Sequence, residues 1–204
     1  LTGGFRVSRP LRYDPRARLR RAGAHLDRMG RTCARLGIAP DRAAAQALLA
    51  GVTGAHPLRL RLTVARDGKL DLQKAALPPT PARWRVAIAP DRLRADDPWL
   101  RVKTTRRALY DRWRAALPAG IDEMLFRNED GALCEGTITN LFVETDAGLL
   151  TPPPCAGLLP GVLRQDLLDN GTAREAALHP GDLQRARAVW VGNALRGLIR
   201  AEIP

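Results

Sequence analysis

One segment of alternating residues constrains the fold of this chain more than any other. From Leu58 to Val64 apolar residues alternate with Arg or Thr, which is the pattern of a strand with one buried face. Asp67-Gly68 then predicts a tight turn into a partner strand from Leu70 to Lys74. Two helical patterns precede this hairpin, from about Arg16 to Leu36 and from Asp41, a capping residue, to about Ala50. The first part of the chain is therefore predicted to be an α/β lobe.

The part of the chain beyond Pro118 reads as β-rich. Short apolar runs separated by Gly-containing turns predict strands there, at Glu123–Arg127, Thr139–Glu144, Ala188–Val191 and Leu198–Ile203. Thr104 or Thr105 can cap a helix that runs to about Leu117. Together the patterns predict an α/β (α+β) chain of two lobes, with an N-terminal α/β lobe over residues 1–99 and a β-rich C-terminal lobe over residues 100–204.

The net charge of +12 raises the question of nucleic-acid binding. The arginines are spread over all predicted elements, and no basic run is interleaved with aromatic residues. Aromatic residues make up only 4% of the chain, too few for a base-stacking platform. We therefore expect no nucleic-acid function, although a basic surface can steer an anionic substrate.

Cysteine, histidine and hydropathy patterns exclude several further classes of protein. The three cysteines and three histidines are scattered, without the paired spacing of a metal site. No window approaches the roughly 20 apolar residues of a membrane span. The residues from Leu1 to Gly4 show no cationic segment followed by an apolar stretch, so no signal peptide is expected. These patterns predict a soluble, cytoplasmic protein without metal or membrane contact.

Lysine is scarce in this chain. Of 33 basic residues only three are lysine, namely Lys69, Lys74 and Lys103. A lysine in an arginine-rich chain suggests a need for an amine that can lose its proton and attack a carbonyl. Lys69 follows a turn and Lys74 ends a polar strand, so both are expected in solvent. Lys103 is expected between an apolar strand and an amphipathic helix, which makes it the candidate nucleophile.

Three motifs follow in order from Lys103 onward. They read KTTRRALY from Lys103, EGTITNLF from Glu135 and LLTPPPCAGLLPGVLR from Leu149 to Arg164. Their order and spacing resemble the class IV aminotransferases, the fold-type IV family of pyridoxal-phosphate enzymes. This family includes branched-chain and D-amino acid aminotransferases and 4-amino-4-deoxychorismate lyase. The resemblance runs from about Arg20 to the C-terminus, and it implies the two-lobed architecture of the D-amino acid aminotransferases.

The resemblance implies a site for pyridoxal 5'-phosphate. That cofactor needs an amine, a carboxylate that keeps its pyridine nitrogen protonated, and donors for its phosphate. By resemblance, Lys103 is the catalytic amine that binds the aldehyde, and Glu135 is the carboxylate that faces the pyridine nitrogen. The implied phosphate contacts are the backbone N–H groups of Gly161, Val162 and Leu163, the turn at Asn193, and Arg28 in the first long helix. Many family members have Thr where this chain has Leu163, so a hydroxyl contact is lost there.

Three details of the sequence favour one activity within the family. The segment GNALRGL from Gly192 resembles the C-terminal turn of the lyase, and Ala108 stands where branched-chain transaminases place a cofactor-contacting Tyr. The segment KTTRRALYD resembles the lyase module found fused behind aminodeoxychorismate synthase. We therefore expect a 4-amino-4-deoxychorismate lyase that releases pyruvate and 4-aminobenzoate in folate synthesis. A class IV amino acid aminotransferase and a non-catalytic basic binding module stay open as alternatives.

The resemblance also implies partners. A homodimer is expected, with a small anionic substrate and with an aminodeoxychorismate synthase as a candidate supplier of that substrate. Complete stand-alone family members carry extra N-terminal strands before a segment like Phe5–Val7. The N-terminal lobe is therefore expected to be shortened at its start.

Overall fold

The computed structural model describes residues 4–204 and divides into two compact units. Unit 1 contains the chain up to Pro79 together with Val102–Arg106, and unit 2 contains Thr80–Arg101 and Arg107–Pro204. Most of the segment inspected for a signal peptide, residues 1–3, lies outside the described residues.

Unit 1 is a four-stranded antiparallel sheet whose apolar face packs against two helices. Its elements are β1 (Val7–Asp14), β2 (Arg18–Leu19), α1 (Ala22–Arg35), α2 (Arg42–Ala50), β3 (Leu58–Val64) and β4 (Leu70–Ala76). The strands are ordered β2-β1-β3-β4. The core joins Leu26 and Met29 of α1 and Leu49 of α2 to strand residues such as Leu60 and Leu62.

The structure confirms the predicted hairpin and the predicted cap of the second helix. β3 and β4 pair around the turn at Asp67-Gly68, and the Asp41 side chain accepts a 2.8 Å hydrogen bond from the backbone N–H of Ala44. The prediction for the first helix was wrong at its start. Residues before Ala22 do not continue the helix, because Arg18 and Leu19 pair with β1 and Arg21 adopts a left-handed φ of 58°.

Unit 2 is built around one large sheet. Its elements are β5 (Arg83–Leu93), α3 (Ala108–Ala115), β6 (Glu123–Asn128), β7 (Leu133–Gly136), β8 (Asn140–Thr145), β9 (Gly148–Thr151), α4 (Val162–Asp169), β10 (Ala173–Glu175), α5 (Pro180–Arg185), β11 (Ala188–Asn193) and β12 (Gly197–Glu202), with 3-10 turns at Pro98–Arg101 and Pro154–Ala156. No helix within residues 4–204 combines the length and the apolar composition of a membrane span.

The large sheet closes on itself. Its strand order is β10-β9-β8-β11-β12-β5-β6-β7, and β7 also pairs with β8. The closing pair is Glu135 with Asn140. Apolar side chains fill both faces, because successive residues of a strand point to opposite sides: Leu125 belongs to one core cluster, and its neighbours Met124 and Phe126 belong to the other.

The segment around Lys103 departs from its predicted structure. A 3-10 turn, Pro98–Arg101, stands where an apolar strand was expected, and α3 begins at Ala108 rather than at Thr104 or Thr105. Both threonines instead contact the start of unit 1, since Thr104 bridges to Val7 and the N–H of Thr105 donates to the carbonyl of Arg6 at 2.9 Å.

The two compact units do not coincide with the two lobes, 1–99 and 100–204, that the sequence predicts. The chain leaves unit 1 at Pro79, because β5 pairs in parallel with β6 and with β12 and so belongs to unit 2. Residues 102–106 then return to unit 1 through their backbone bonds to the residues that begin β1.

Candidate active site

The three lysines differ in exposure as the sequence predicts. Lys69 and Lys74 are exposed, whereas Lys103 is half-buried. The carbonyl of Lys103 accepts hydrogen bonds from the backbone N–H of Ser8 at 3.0 Å and from Nη1 of Arg9 at 3.2 Å. The backbone of Lys103 is therefore fixed to β1, and its side chain has the partly dry surroundings that suit a reactive amine.

Arg28 lies on α1 and is 9% exposed. It belongs to unit 1, which also contains Lys103. Its carbonyl accepts a 2.8 Å hydrogen bond from Nη2 of Arg9. Arg9 therefore contacts the backbones of both Arg28 and Lys103. The structure brings these two predicted site residues onto one small network.

His25 lies one helical turn before Arg28 and is 2% exposed. Burial, together with the positive charges of Arg28 and Arg9, lowers the pKa of His25 to about 3. Among the described residues its Nδ1 atom has no hydrogen-bond partner. His25 is therefore neutral at pH 7 and adds no charge beside the guanidinium groups.

Glu135 lies at the end of β7 in unit 2 and is 7% exposed. Its Oε1 accepts a 2.7 Å hydrogen bond from the hydroxyl of Tyr110, and its Oε2 accepts one of 3.1 Å from the backbone N–H of Leu159. A carboxylate can accept about four hydrogen bonds. The hydrogen bonds from Tyr110 and Leu159 therefore orient the carboxylate of Glu135.

Tyr110 is held by its own contacts. Its ring meets Phe126 edge-on with centroids 5.2 Å apart, and the guanidinium of Arg107 lies 5.3 Å from the ring centroid. Burial raises the pKa of the Tyr110 hydroxyl, and the neighbouring Glu135 raises it further. Tyr110 is therefore a protonated donor at any physiological pH.

The turn after Glu135 is organised by the buried carboxylate of Glu123. This carboxylate accepts hydrogen bonds from the N–H and hydroxyl of Thr137, from the N–H of Ile138 at 3.2 Å and from the hydroxyl of Thr139 at 3.0 Å. A Cβ atom at Gly136 would lie within 3.0 Å of the Glu123 side chain. The segment from Gly136 to Thr139 therefore packs around the carboxylate of Glu123 and donates hydrogen bonds to it.

Helix α4 begins at Val162 with Gly161 as its N-cap residue, and within the described chain no side chain caps it. The first N–H groups of a helix are donors that suit an anion. A Cβ atom at Gly161 would collide with Oδ1 of Asn140, whose Nδ2 donates to the carbonyl of Leu159 at 2.9 Å. Gly161 is therefore required for the close packing of this loop.

The side chain of Asn193 shapes its own turn. Its Oδ1 accepts hydrogen bonds from the backbone N–H groups of Leu195 and Arg196, both at 3.0 Å, and its Nδ2 donates to the carbonyl of Ile138 at 3.1 Å. Asn193 thus links the turn after β11 to the turn that Glu123 organises. A Cβ atom at the preceding Gly192 would lie 3.0 Å from the side chain of Leu163. Helix α4 therefore lies close to this turn.

Taken one by one, these groups are of the kinds that pyridoxal phosphate requires. Lys103 is a half-buried amine, Arg28 is a buried guanidinium, Glu135 is an oriented carboxylate, and α4 begins with uncapped N–H groups. Lys103 and Arg28 belong to unit 1, whereas Glu135, Gly161, Val162, Leu163 and Asn193 belong to unit 2. Within the described residues no group of three His, Cys, Asp or Glu side chains could hold a metal ion.

The residues that support this set were not predicted from the sequence. Tyr110 lies in the KTTRRALY motif, which gives it no evident role, and the organising role of Glu123 depends on residues that follow it by 14–16 positions. The sequence held a signal for Arg9. It interrupts the apolar face of β1 between Val7 and Leu11, both of which are fully buried.

Comparison with known proteins places this geometry in a family. The family described as amino-transferase class IV matches residues 11–202. The aminodeoxychorismate lyase of Saccharomyces cerevisiae is 30% identical over 139 residues, which cover 59% of this chain and 37% of the yeast protein. The chain thus spans little more than a third of that relative.

Two solved structures share the fold. A protein from Mesorhizobium loti, provisionally assigned as an amino-acid aminotransferase, is 41% identical with a TM-score of 0.91, covering 98% of this chain and 100% of that one. A protein from Legionella pneumophila, provisionally assigned as 4-amino-4-deoxychorismate lyase, is 21% identical with a TM-score of 0.86, covering 98% and 83%. The chain therefore belongs to the class IV aminotransferase family of pyridoxal-phosphate enzymes, with the fold-type IV architecture.

Proposed function

We propose that this chain is a pyridoxal-phosphate-dependent 4-amino-4-deoxychorismate lyase, which releases pyruvate and leaves 4-aminobenzoate. The observation that supports the cofactor is the buried carboxylate of Glu135, which accepts hydrogen bonds from Tyr110 and Leu159, in a chain whose one half-buried lysine is Lys103. The observation that supports the lyase is the 30% identity with the yeast aminodeoxychorismate lyase.

Each residue has a defined task in this proposal. Bound pyridoxal phosphate would supply an electron sink for the carbanion formed at the amine-bearing carbon. Lys103 would be the residue that holds the cofactor at its aldehyde group. Its Nζ, when neutral, would also be the base that removes the proton from the amine-bearing carbon of the substrate.

The other residues would bind and orient the cofactor. Glu135 would accept the N–H of the pyridine ring in a charge-assisted hydrogen bond and so keep that nitrogen protonated. Arg28 would pair with the phosphate. The backbone N–H groups of Gly161, Val162 and Leu163 would donate to phosphate oxygens, and the Asn193 turn would support the same anion.

The decisive experiment is pyruvate release. Purified protein loaded with pyridoxal phosphate is given aminodeoxychorismate, with no keto acid present, and pyruvate and 4-aminobenzoate are measured. We expect both products in equal amounts. A cofactor-loaded sample that releases no pyruvate would contradict the lyase.

The lysine assignment has a matched control within the chain. Lys103→Ala should abolish the absorbance band of the lysine-bound cofactor near the visible edge, whereas Lys69→Ala, at an exposed position, should leave it intact. An equal band in both variants would remove Lys103 from its role. No band in the wild-type protein would favour the non-catalytic binding module, for which ligand binding with a steep salt dependence is expected.

A transaminase is the second candidate, because the Mesorhizobium loti protein at 41% identity is assigned provisionally to that activity. A transaminase would need a keto-acid acceptor and would cycle through the amine form of the cofactor. L- and D-amino acids added to the loaded protein should then shift its absorbance band in a half-reaction. Pyruvate release without a keto acid, together with no such shift, would decide for the lyase.

A further inference from the structure

Arg9 occupies a strand position where the pattern requires an apolar side chain. Its neighbours on the same face of β1 are Val7 and Leu11, both within the core of unit 1. Arg9 itself is 1% exposed. Burial lowers the pKa of Arg9, and the adjacent charge of Arg28 lowers it further. A charge in such a position is costly, so its hydrogen bonds must offset a large desolvation penalty.

The hydrogen bonds of Arg9 lead to three different segments of unit 1. Nη1 donates to the carbonyls of Ser8 at 2.8 Å and Lys103 at 3.2 Å. Nη2 donates to the carbonyl of Arg28 at 2.8 Å and to the hydroxyl of Thr32 at 2.6 Å. The four partners are neutral oxygens, so the guanidinium acts as a hydrogen-bonded bridge rather than as half of an ion pair.

The bridge joins the segment that carries Lys103 to helix α1. The segment is already attached to β1, because Ser8 donates to the carbonyl of Lys103 at 3.0 Å and Thr105 donates to that of Arg6 at 2.9 Å. These bonds fix the segment along the strand. The hydrogen bond from Arg9 to the carbonyl of Arg28 also fixes the distance between this segment and helix α1.

We propose that Arg9 is a positioning residue that sets the backbone of Lys103 relative to that of Arg28, so that amine and guanidinium are preorganised for one cofactor. This inference rests on the proposed cofactor roles of Lys103 and Arg28. Preorganisation matters because a site residue must be held within a fraction of an ångström of its working position by the groups behind it.

The planar fork of arginine is needed for this task. Its five N–H donors point in fixed directions, so one side chain can bond to carbonyls on two sides. Lysine carries its three donors on one nitrogen atom and cannot span the same oxygens. Arg9→Lys should therefore keep the charge and lose the bridge.

The first test measures the cofactor-free protein by hydrogen–deuterium exchange. In Arg9→Lys the amides of Ser8 and Thr105 should exchange faster than in the wild type, while the amides of β3 and β4 should not change. Leu11→Val is the matched control, because it disturbs the adjacent core position of the same strand without touching Lys103. Equal exchange at Ser8 and Thr105 in Arg9→Lys and Leu11→Val would overturn the bridge.

The second test measures cofactor binding. Pyridoxal phosphate is titrated into each protein, the absorbance band gives the dissociation constant, and hydride reduction followed by mass spectrometry gives the extent of attachment at Lys103. Arg9→Lys and Arg9→Met should bind about tenfold more weakly than wild type, the expected effect of losing one or two hydrogen bonds of about 1 kcal/mol each. Leu11→Val should bind as the wild type does.

The outcomes separate the two proposals. If the wild-type chain forms no adduct at Lys103, the proposed function is overturned and the role of Arg9 falls with it. If the wild type forms the adduct and the Arg9 variants match Leu11→Val in affinity, only the role of Arg9 is overturned. Should Arg9→Met fail to fold, Arg9→Lys decides alone.

Discussion

The hydroxyl of Tyr110 donates a 2.7 Å hydrogen bond to Oε1 of Glu135. The other carboxylate oxygen is held from a different element, by the backbone N–H of Leu159 at 3.1 Å. The orientation of Glu135 therefore depends on α3, which carries Tyr110, and on the loop before α4. This dependence gives Tyr110 a role that can be tested apart from its packing.

Tyr110→Phe should reduce the affinity for pyridoxal phosphate by roughly tenfold, because a hydrogen bond to a charged group contributes about 1.5–3 kcal/mol and its loss frees the carboxylate to rotate. The absorbance titration measures this change. Tyr13→Phe is the matched control, since Tyr13 is also buried and its hydroxyl donates to the carbonyl of Gly54 at 3.3 Å. Equal affinities in both variants would show that Glu135 needs no help from Tyr110.

Glu123→Gln should destabilise the protein by about 2–4 kcal/mol. The side-chain amide would replace one acceptor oxygen with an NH2 group, which would face the donors of either Thr137 or Thr139 that now meet a fully buried carboxylate. Chemical denaturation gives the free energy of unfolding. Asp130→Asn, an exposed change in the β6–β7 hairpin, should stay within about 0.5 kcal/mol of wild type, and a similar value for Glu123→Gln would contradict the organising role of this acid.

Gly161→Ala should weaken binding of pyridoxal phosphate at least about tenfold, because the new Cβ displaces Asn140 and with it the loop that begins α4. Fluorescence or absorbance titration measures the dissociation constant. Gly30→Ala is the matched change at an open position of α1 and should be neutral or slightly stabilising. Unchanged cofactor affinity in Gly161→Ala would mean that this helix start does not hold the phosphate.

Acid should destabilise the protein through His25. Because burial lowers the pKa of His25 from 6.5 to about 3, the unfolded chain binds a proton that the folded chain does not as pH falls below about 6.5. The stabilising effect is therefore complete above that pH, and roughly 3 kcal/mol of it is lost on going from pH 7 to pH 4, at about 1.4 kcal/mol per pH unit.

The difference in unfolding free energy between pH 7 and pH 4 measures this effect. His25→Gln, which cannot titrate, should show a difference smaller by that amount. His56→Gln, at an exposed histidine, should retain the wild-type difference. Identical pH dependence in the two variants would show that His25 is not the group responsible.

Sequence patterns correctly predicted those elements that are determined by residues close together in the sequence. The β3–β4 hairpin follows from alternation and a Gly turn, and the cap at Asp41 follows from one side chain. The start of α3 could not be predicted in this way. Thr105 bonds to Arg6, which is 99 residues distant in sequence, and no local pattern reports such a partner.

The same distinction applies to the candidate site. Lys103 and Glu135 stand in motifs that the family resemblance identifies, and their roles stay predictions. The supporting groups depend on tertiary contacts, as Tyr110 meets Glu135 only through the packing of α3. The unusual role of Arg9 could have been suspected from the sequence, because one charged residue on an otherwise apolar strand face needs a physical reason.

The return of Val102–Arg106 to unit 1 has a consequence for dissecting the protein. A fragment ending at Pro79 would lack the peptide that pairs with the start of β1, and Ser8 and Arg9 would lose the acceptor carbonyl of Lys103. Neither unit can be produced intact from one uninterrupted stretch of gene. Any swap of unit 1 between relatives must transplant five residues from the middle of unit 2's sequence, and Lys103 is one of them.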